Sequence, residues 1–306
     1  SDFCADGALR QKPPCCIEAR VLYFGYGSNL DEHYWARWCA EHGHDSSSIE
    51  LLGPAWLPDF EPVFHYRSRV DGQGRLDVVP RLGTTTPGAL FRVRDWAGLD
   101  AKEGVAGQYY ERMSVTVLTD DGKAHEATSY RVCAHRVQEH VAPSAQYFGY
   151  VQRGLVRLGH EQGQLVAAAN GRSLDPFPNA LFAYGTLMQG RRSHDLLEER
   201  LRSAPVAATV HGASLVRIDW YPGLVLSEEG SVSGQLLELL DTASALQVLD
   251  PYEDFSGYGV EGSLYRRSLV RGRTDTGDSL AWTYVYLGDS SRTPIIQSGT
   301  WAPDEA

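Results

Sequence analysis

Val21 to Gly25 is a short apolar run that ends in a glycine-rich turn, the pattern of a buried strand. Ser28, Asn29 and Asp31 follow it and precede EHYWARWCAEH, where Tyr34, Trp35, Trp38 and Cys39 recur at helical spacing. Ser28 or Asn29 is therefore expected to cap a helix. The same order returns later: ALFAY reads as a strand, GTLMQG as a turn, and SHDLLEERL as a helix opened by Ser193. YFGYGSNL at 23–30 and LFAYGTLM at 181–188 are thus near copies of one strand-turn-helix unit, with 158 residues between Tyr26 and Tyr184.

Further elements repeat behind each copy. A glycine followed by an apolar strand occurs as PGALFRV at 87–93 and as VSGQLLELL at 232–240. Each is followed by a helical LDxxE, namely Leu99, Asp100, Glu103 and Leu249, Asp250, Glu253, and then by a tyrosine-led strand, YYERMSVTVLT or YRRSLVRG. Tyr26 to Glu103 is 77 residues and Tyr184 to Glu253 is 69, a difference that a surface loop such as VDGQGRL at 70–76 absorbs. The pattern predicts two homologous domains, 18–172 and 173–306. The boundary falls in the polar, glycine- and proline-bearing segment 160–178, and SSRTPIIQSGTWAPDEA is expected to be a C-terminal tail.

Length agrees, since 306 residues suit two domains better than one. With 42% hydrophobic and 22% charged residues the chain is expected to fold. A net charge of -11 opposes binding to nucleic acid, which needs a basic surface to displace counterions from phosphates. No run of 18 apolar residues and no signal-peptide pattern is present, so a cytoplasmic protein without membrane contact is expected. Five cysteines (Cys4, Cys15, Cys16, Cys39, Cys133) form no CxxC pair, and the histidines adopt no HExxH spacing, so neither a disulfide framework nor a metal site is expected.

A strand that ends in a small-residue turn and opens a helix directs backbone N–H groups at the positive end of the helix dipole, which suits an anion. Neither turn has a phosphate-loop fingerprint or a following lysine, so a carboxylate fits better than a phosphate. A glutamate on a helix is ordinarily a surface charge. Here the same glutamate recurs after LD in both copies, and a shared chemical role competes with a shared cap or structural hydrogen bond.

YFGYGSNL, LDAKEGVAGQYY, TSYRV and APSAQYFGYVQRGL together resemble the γ-glutamylcyclotransferase family across nearly the whole first half. FAYGTLM, YPGLVL, VSGQLLEL, LDPYEDF and YRRSLV resemble its γ-glutamylamine cyclotransferase and AIG2-like branch. The resemblance implies an α+β chain of two tandem domains, each a small mixed β-barrel flanked by helices. It also implies a reaction in which a small γ-glutamyl substrate closes on itself to 5-oxoproline and releases an amine, with no cofactor. By the same resemblance, Tyr26, Gly27, Ser28 and Asn29 hold the γ-glutamyl head through backbone amides. Tyr184, Gly185, Thr186 and Leu187 are their second-copy equivalents, and Glu103 and Glu253 are the acid/base residues. Tyr109, Tyr130 and Tyr147 match pocket tyrosines of the family, with Tyr265 as the second-half candidate.

Departures from that pattern are Gly25 in place of alanine, and Thr186–Leu187 in the second copy where the first has Ser28–Asn29. Neither copy carries the tryptophan-containing segment of the glutathione-specific branch. Two competing readings are that one half is a degenerate ligand-binding or scaffold module, and that Cys39 or Cys133 serves a Cys–His amidase.

Overall fold

The computed structural model describes residues 21–291 and 293–302. Cys4, Cys15, Cys16 and the outer ends of the two expected domains, at 18 and 306, lie outside the described residues. From residue 22 the chain builds a five-stranded barrel: β1 (Leu22–Gly25), β2 (Ile49–Arg67), β3 (Gly74–Val93), β4 (Tyr110–Leu118) and β5 (Ala124–Val132). Its closed order is β1-β3-β2-β4-β5, antiparallel except where β1 meets β5 in parallel at Tyr23 and Thr128. Around it lie α1 (Glu32–His42), α2 (Ala97–Glu103), α3 (Ala145–Arg157) and α4 (Gly163–Ala169).

A second barrel repeats the plan with β6 (Ala180–Ala183), then α5 (Asp195–Glu198), β7 (Val206–Arg217), β8 (Pro222–Glu238), α6 (Thr242–Tyr252), β9 (Tyr265–Thr274) and β10 (Gly277–Tyr286). Its order, β10-β6-β8-β7-β9, is the first order with every strand advanced by five, and β6 again meets β10 in parallel. Each barrel holds its own apolar cluster, although Trp56 and Leu118 of the first pack into the second. Both barrels need a glycine where β3 and β8 cross the end of the first strand. A Cβ on Gly88 would stand 2.3 Å from the Gly25 carbonyl oxygen, and one on Gly234 2.3 Å from that of Ala183.

Three expectations are corrected. Ser28 and Asn29 do not cap α1: they form a 3-10 turn, Ser28–Leu30, that turns both side chains inward, and Asp31 caps the helix by accepting from the Tyr34 amide at 2.9 Å. SHDLLEERL yields only the short α5, because Ser193 is buried against the Tyr252 hydroxyl at 2.6 Å instead of capping. The expected tail is docked as far as it is described. Ile296 N–H donates to Leu215 O at 2.8 Å, Ser233 N–H donates to Gly299 O at 2.8 Å, and Trp301 is buried.

The barrels touch along β9. Arg267, 1% exposed, donates to Asp250 at 2.6 Å and also ion-pairs with Asp59 of the first barrel, while Arg266 donates to Gly122 O at 2.9 Å. No helix among the described residues is long and apolar enough to cross a membrane.

Candidate active sites

The turn after β1 and the turn after β6 are held by matching hydrogen bonds. Tyr26 donates its hydroxyl to Tyr130 O at 2.6 Å, and Tyr184 donates to Tyr284 O at 2.7 Å. Ser129 donates to Phe24 O at 2.9 Å, as Thr283 does to Phe182 O at 3.0 Å. The aspartate of each LDxxE is fixed in the same way: Tyr130 donates to Asp100 and Tyr284 to Asp250, both at 2.7 Å, and Arg112 and Arg267 ion-pair with the same carboxylates. The aspartates therefore lock each helix end to its barrel, which aims the glutamate three residues on. Both helices stop there because the next residue is left-handed, Gly104 with φ 65° and Asp254 with φ 52°.

Each glutamate lines a cavity beside its turn. The first cavity, about 460 Å³, includes Tyr26, Gly27, Ser28, Glu103, Tyr109, Tyr130 and Tyr147 on its wall. The second, about 350 Å³, includes Tyr184, Gly185, Thr186, Leu187, Glu253 and Tyr265. Of the residues expected from sequence, Asn29 alone stands behind the wall. Its side-chain amide donates to Glu103 Oε1 at 3.0 Å and to the Tyr23 hydroxyl at 2.9 Å, so it holds the carboxylate.

Burial raises the pKa of Glu103, opposed by the nearby Lys102 charge and the Asn29 hydrogen bond. In the second cavity Leu187 occupies the Asn29 position, and burial alone pushes Glu253 up to about 7. Both thiols expected as alternative nucleophiles, Cys39 and Cys133, are buried, and that burial raises their pKa values, the reverse of thiolate activation.

Residues 181–303 match the family described as "Gamma-glutamyl cyclotransferase, AIG2-like", and residues 88–158 match the "AIG2-like family". The chain is 33% identical over 112 residues to the gamma-L-glutamyl-butirosin B gamma-glutamyl cyclotransferase of Niallia circulans, which covers 37% of this chain and 69% of that one. The chain belongs to the γ-glutamyl cyclotransferase, AIG2-like family. Among solved structures, one titled "Gamma-glutamyl cyclotransferase" has 23% identity and a TM-score of 0.42, covering 51% of this chain and 90% of its own. YkqA from Bacillus subtilis has 18% identity and a TM-score of 0.35, covering 88% of this chain and 84% of its own.

In this cyclotransferase-family chain, several wall residues were not expected from the sequence. In the first cavity they include Tyr23, Tyr34, Arg75, Lys102 and Tyr110, and in the second Trp220, Tyr221, Tyr252 and Tyr284. A signal for one of them, Tyr110, was present. Tyr110-x-Arg112 and Tyr265-x-Arg267 are the same triplet, and the two tyrosines donate alike, to Leu76 O at 2.8 Å and to Pro222 O at 2.9 Å. The partner of Tyr265 is thus Tyr110, whereas Tyr109 sits towards the mouth between the guanidinium groups of Arg69 and Arg136.

Proposed function

We propose that the protein is a γ-glutamyl cyclotransferase of the lyase or acyltransferase type that releases 5-oxoproline and a free amine, with Glu103 and Glu253 as the acid/base residues of two sites. The observation that carries this reading is one half-buried carboxylate per barrel, each at a helix end locked by an Asp–Tyr–Arg cluster and each facing a Tyr-Gly turn. The substrate's α-amine attacks its own γ-carbonyl carbon, a C–N bond forms, and the original γ-amide C–N bond breaks. The proton lost by the attacking amine passes to the glutamate and from it to the departing amine, so no water or cofactor enters the balance. A carboxylate whose pKa lies above its ordinary value is matched to both transfers near neutral pH. The cavity's other task is to hold the folded-back conformer, and orientation of a tethered nucleophile is worth several kcal/mol. Tyr26, Gly27, Ser28 and their counterparts Tyr184, Gly185, Thr186 hold the γ-glutamyl head in this reading, with Asn29 positioning Glu103. The setting is the cytoplasm, and the partner is a small γ-glutamyl compound.

The test is 5-oxoproline release from a panel of γ-glutamyl compounds by wild type, Glu103→Gln, Glu253→Gln and the double variant. Each single variant is expected to retain the activity of the other site and the double variant none. Release that persists in the double variant overturns the assignment.

A further inference from the structure

The two LDxxE helix ends are held by equivalent arginines, but the second arginine has a further partner. Arg112 ion-pairs with Asp100 and stacks 4.1 Å over the Trp96 ring; its side chain is 38% exposed and, among the described residues, no second carboxylate reaches it. Arg267 is 1% exposed, and the rings of Phe255, Tyr258 and Trp282 surround its guanidinium at 5.3, 5.4 and 5.0 Å. One of its amino groups donates to Asp250 at 2.6 Å, and the other ion-pairs with Asp59, which belongs to the first barrel.

The first barrel is shaped to present Asp59. Between the pairs Pro58–Thr85 and Phe60–Pro80 the β2–β3 hairpin bulges, and there Asp59 (φ 60°) and Gly83 (φ 79°) are both left-handed. Aspartate is one of the few side chains that tolerate that conformation. The Gly83 N–H donates to Asp59 Oδ1 at 2.9 Å, which leaves Oδ2 for Arg267. Gly83 itself lies against the first turn of α6, where a Cβ would stand 3.1 Å from the Ala243 nitrogen. The bulge thus meets α6 near both ends, directly at Ala243 and, through Arg267, at Asp250.

Glu253 stands at the end of that helix. A planar guanidinium held at both amino groups cannot turn, whereas one held by a single carboxylate pivots on it. Asp59 fixes Arg267, Arg267 fixes Asp250, and the helix end fixes Glu253 at the cavity wall. Other contacts between the barrels leave α6 aside: Arg266 and Arg271 join β9 to Gly122 O and to Asp120, between β4 and β5.

We propose that Asp59 of the first barrel is a positioning residue for the second site, so that this site is complete only in the tandem chain. This rests on Glu253 being an acid/base residue, as in the cyclotransferase reading above.

The test places Asp59→Asn in two backgrounds of the full chain, with γ-glutamyl-alanine and γ-glutamyl-butylamine as probes. Asparagine keeps the size, the tolerance of left-handed backbone and an acceptor for the Gly83 N–H, and removes the charge. In Glu103→Gln, where the second site alone works, kcat for 5-oxoproline release is expected to fall about tenfold or more, with KM within about twofold, because the Tyr184–Thr186 turn is not part of α6. In Glu253→Gln, where the first site alone works, both constants should hold, although the substitution lies in the first barrel. Asp59→Glu restores the carboxylate and should recover most of the lost rate, and Asp120→Ala removes an interface ion pair away from α6 and should lose none. Hydrogen exchange, measured without substrate, should quicken in Asp59→Asn at the Glu253 and Phe255 amides, which donate to Leu249 O and Asp250 O, and not in Asp120→Ala. An unchanged second site, or an equal loss of rate in both sites, overturns the positioning role and leaves the cyclotransferase reading standing. Exchange quickened at the end of α6, with no 5-oxoproline released by wild type, upholds the hold of Asp59 on that helix end and overturns the reading.

Discussion

Glu253 carries a quantitative consequence that does not depend on any substrate. Its carboxyl lines the second cavity together with Tyr184, Leu187, Leu264 and Tyr265, and among the described residues no charge or side-chain hydrogen bond offsets its burial, which pushes its pKa from 4.5 to about 7. The folded state therefore holds the proton more tightly than the unfolded chain does. The neutral acid costs nothing extra below the unfolded pKa of 4.5. As pH rises above that value the unfolded chain releases the proton first, and the folded state loses stability until about pH 7, beyond which the loss is constant. Between pH 5 and pH 8 the linkage relation gives a loss of about 2–3 kcal/mol from this one group. Glu253→Gln keeps the shape and removes the titration, so the variant should gain about 2–3 kcal/mol over wild type between those two pH values. The other carboxylates titrate alike in both proteins and cancel, as does any constant cost of burying the amide. The assay is urea unfolding of wild type and Glu253→Gln at pH 5, 6, 7 and 8, with the second barrel followed by its tryptophans. A stability difference that stays flat within about 0.5 kcal/mol over that range would refute the account of Glu253 as a buried, unsupported acid.

The Asn29 contact makes a paired prediction. In the Glu253→Gln background, Asn29→Leu removes a charge-assisted hydrogen bond of about 1.5 kcal/mol and should raise the apparent pKa on the acid limb of kcat/KM by about one unit. Leu187→Asn in the Glu103→Gln background should lower it, and unmoved profiles would contradict the role given to Asn29. Arg267→Ala leaves Asp250 and Asp59 facing each other without their buried cation, so it should cost about 3–5 kcal/mol in thermal or urea unfolding. An unchanged midpoint would show that this cluster contributes nothing to stability. Gly234→Ala puts a methyl group against the Ala183 carbonyl, and solubility and melting should reveal a loss of at least about 2 kcal/mol. Wild-type stability in that variant would mean that β8 can shift away from β6.

The repeated octets and the two LDxxE segments were legible because each is local: a strand end, a turn and a helix end are written in consecutive letters. The long hairpin of β2 and β3 was not. Pro54, Pro58 and Pro62 interrupt β2, and proline in a run argues against a strand. The structure accommodates them with bulges between Leu51 and Gly53 and between Pro58 and Phe60. That hairpin brings Arg75 to the first cavity, so missing the strand meant missing the cation. The inward face of Ser28 and Asn29 was hidden for a related reason. Their residue types suit a helix cap, and only the 3-10 turn before Asp31 diverts Asn29 towards Glu103, 74 positions away.

The same logic explains how the two sites differ. Four residues of each turn diverged only at the third and fourth places, Ser28–Asn29 against Thr186–Leu187, and those letters alone imply a small change in contacts. Their effect depends on what the fold sets opposite them. Leu187 takes a donor away from Glu253 at the position where Tyr252 also takes away a cation, so the two changes act on one carboxylate. In the first site Asn29 and Lys102 lower the cost of the charged form together. A duplicated chain can thus keep the Asp–Tyr–Arg cluster that holds the glutamate's helix end and still surround the two glutamates with different donors and charges, because the residues that set the position are not the residues that set the charge.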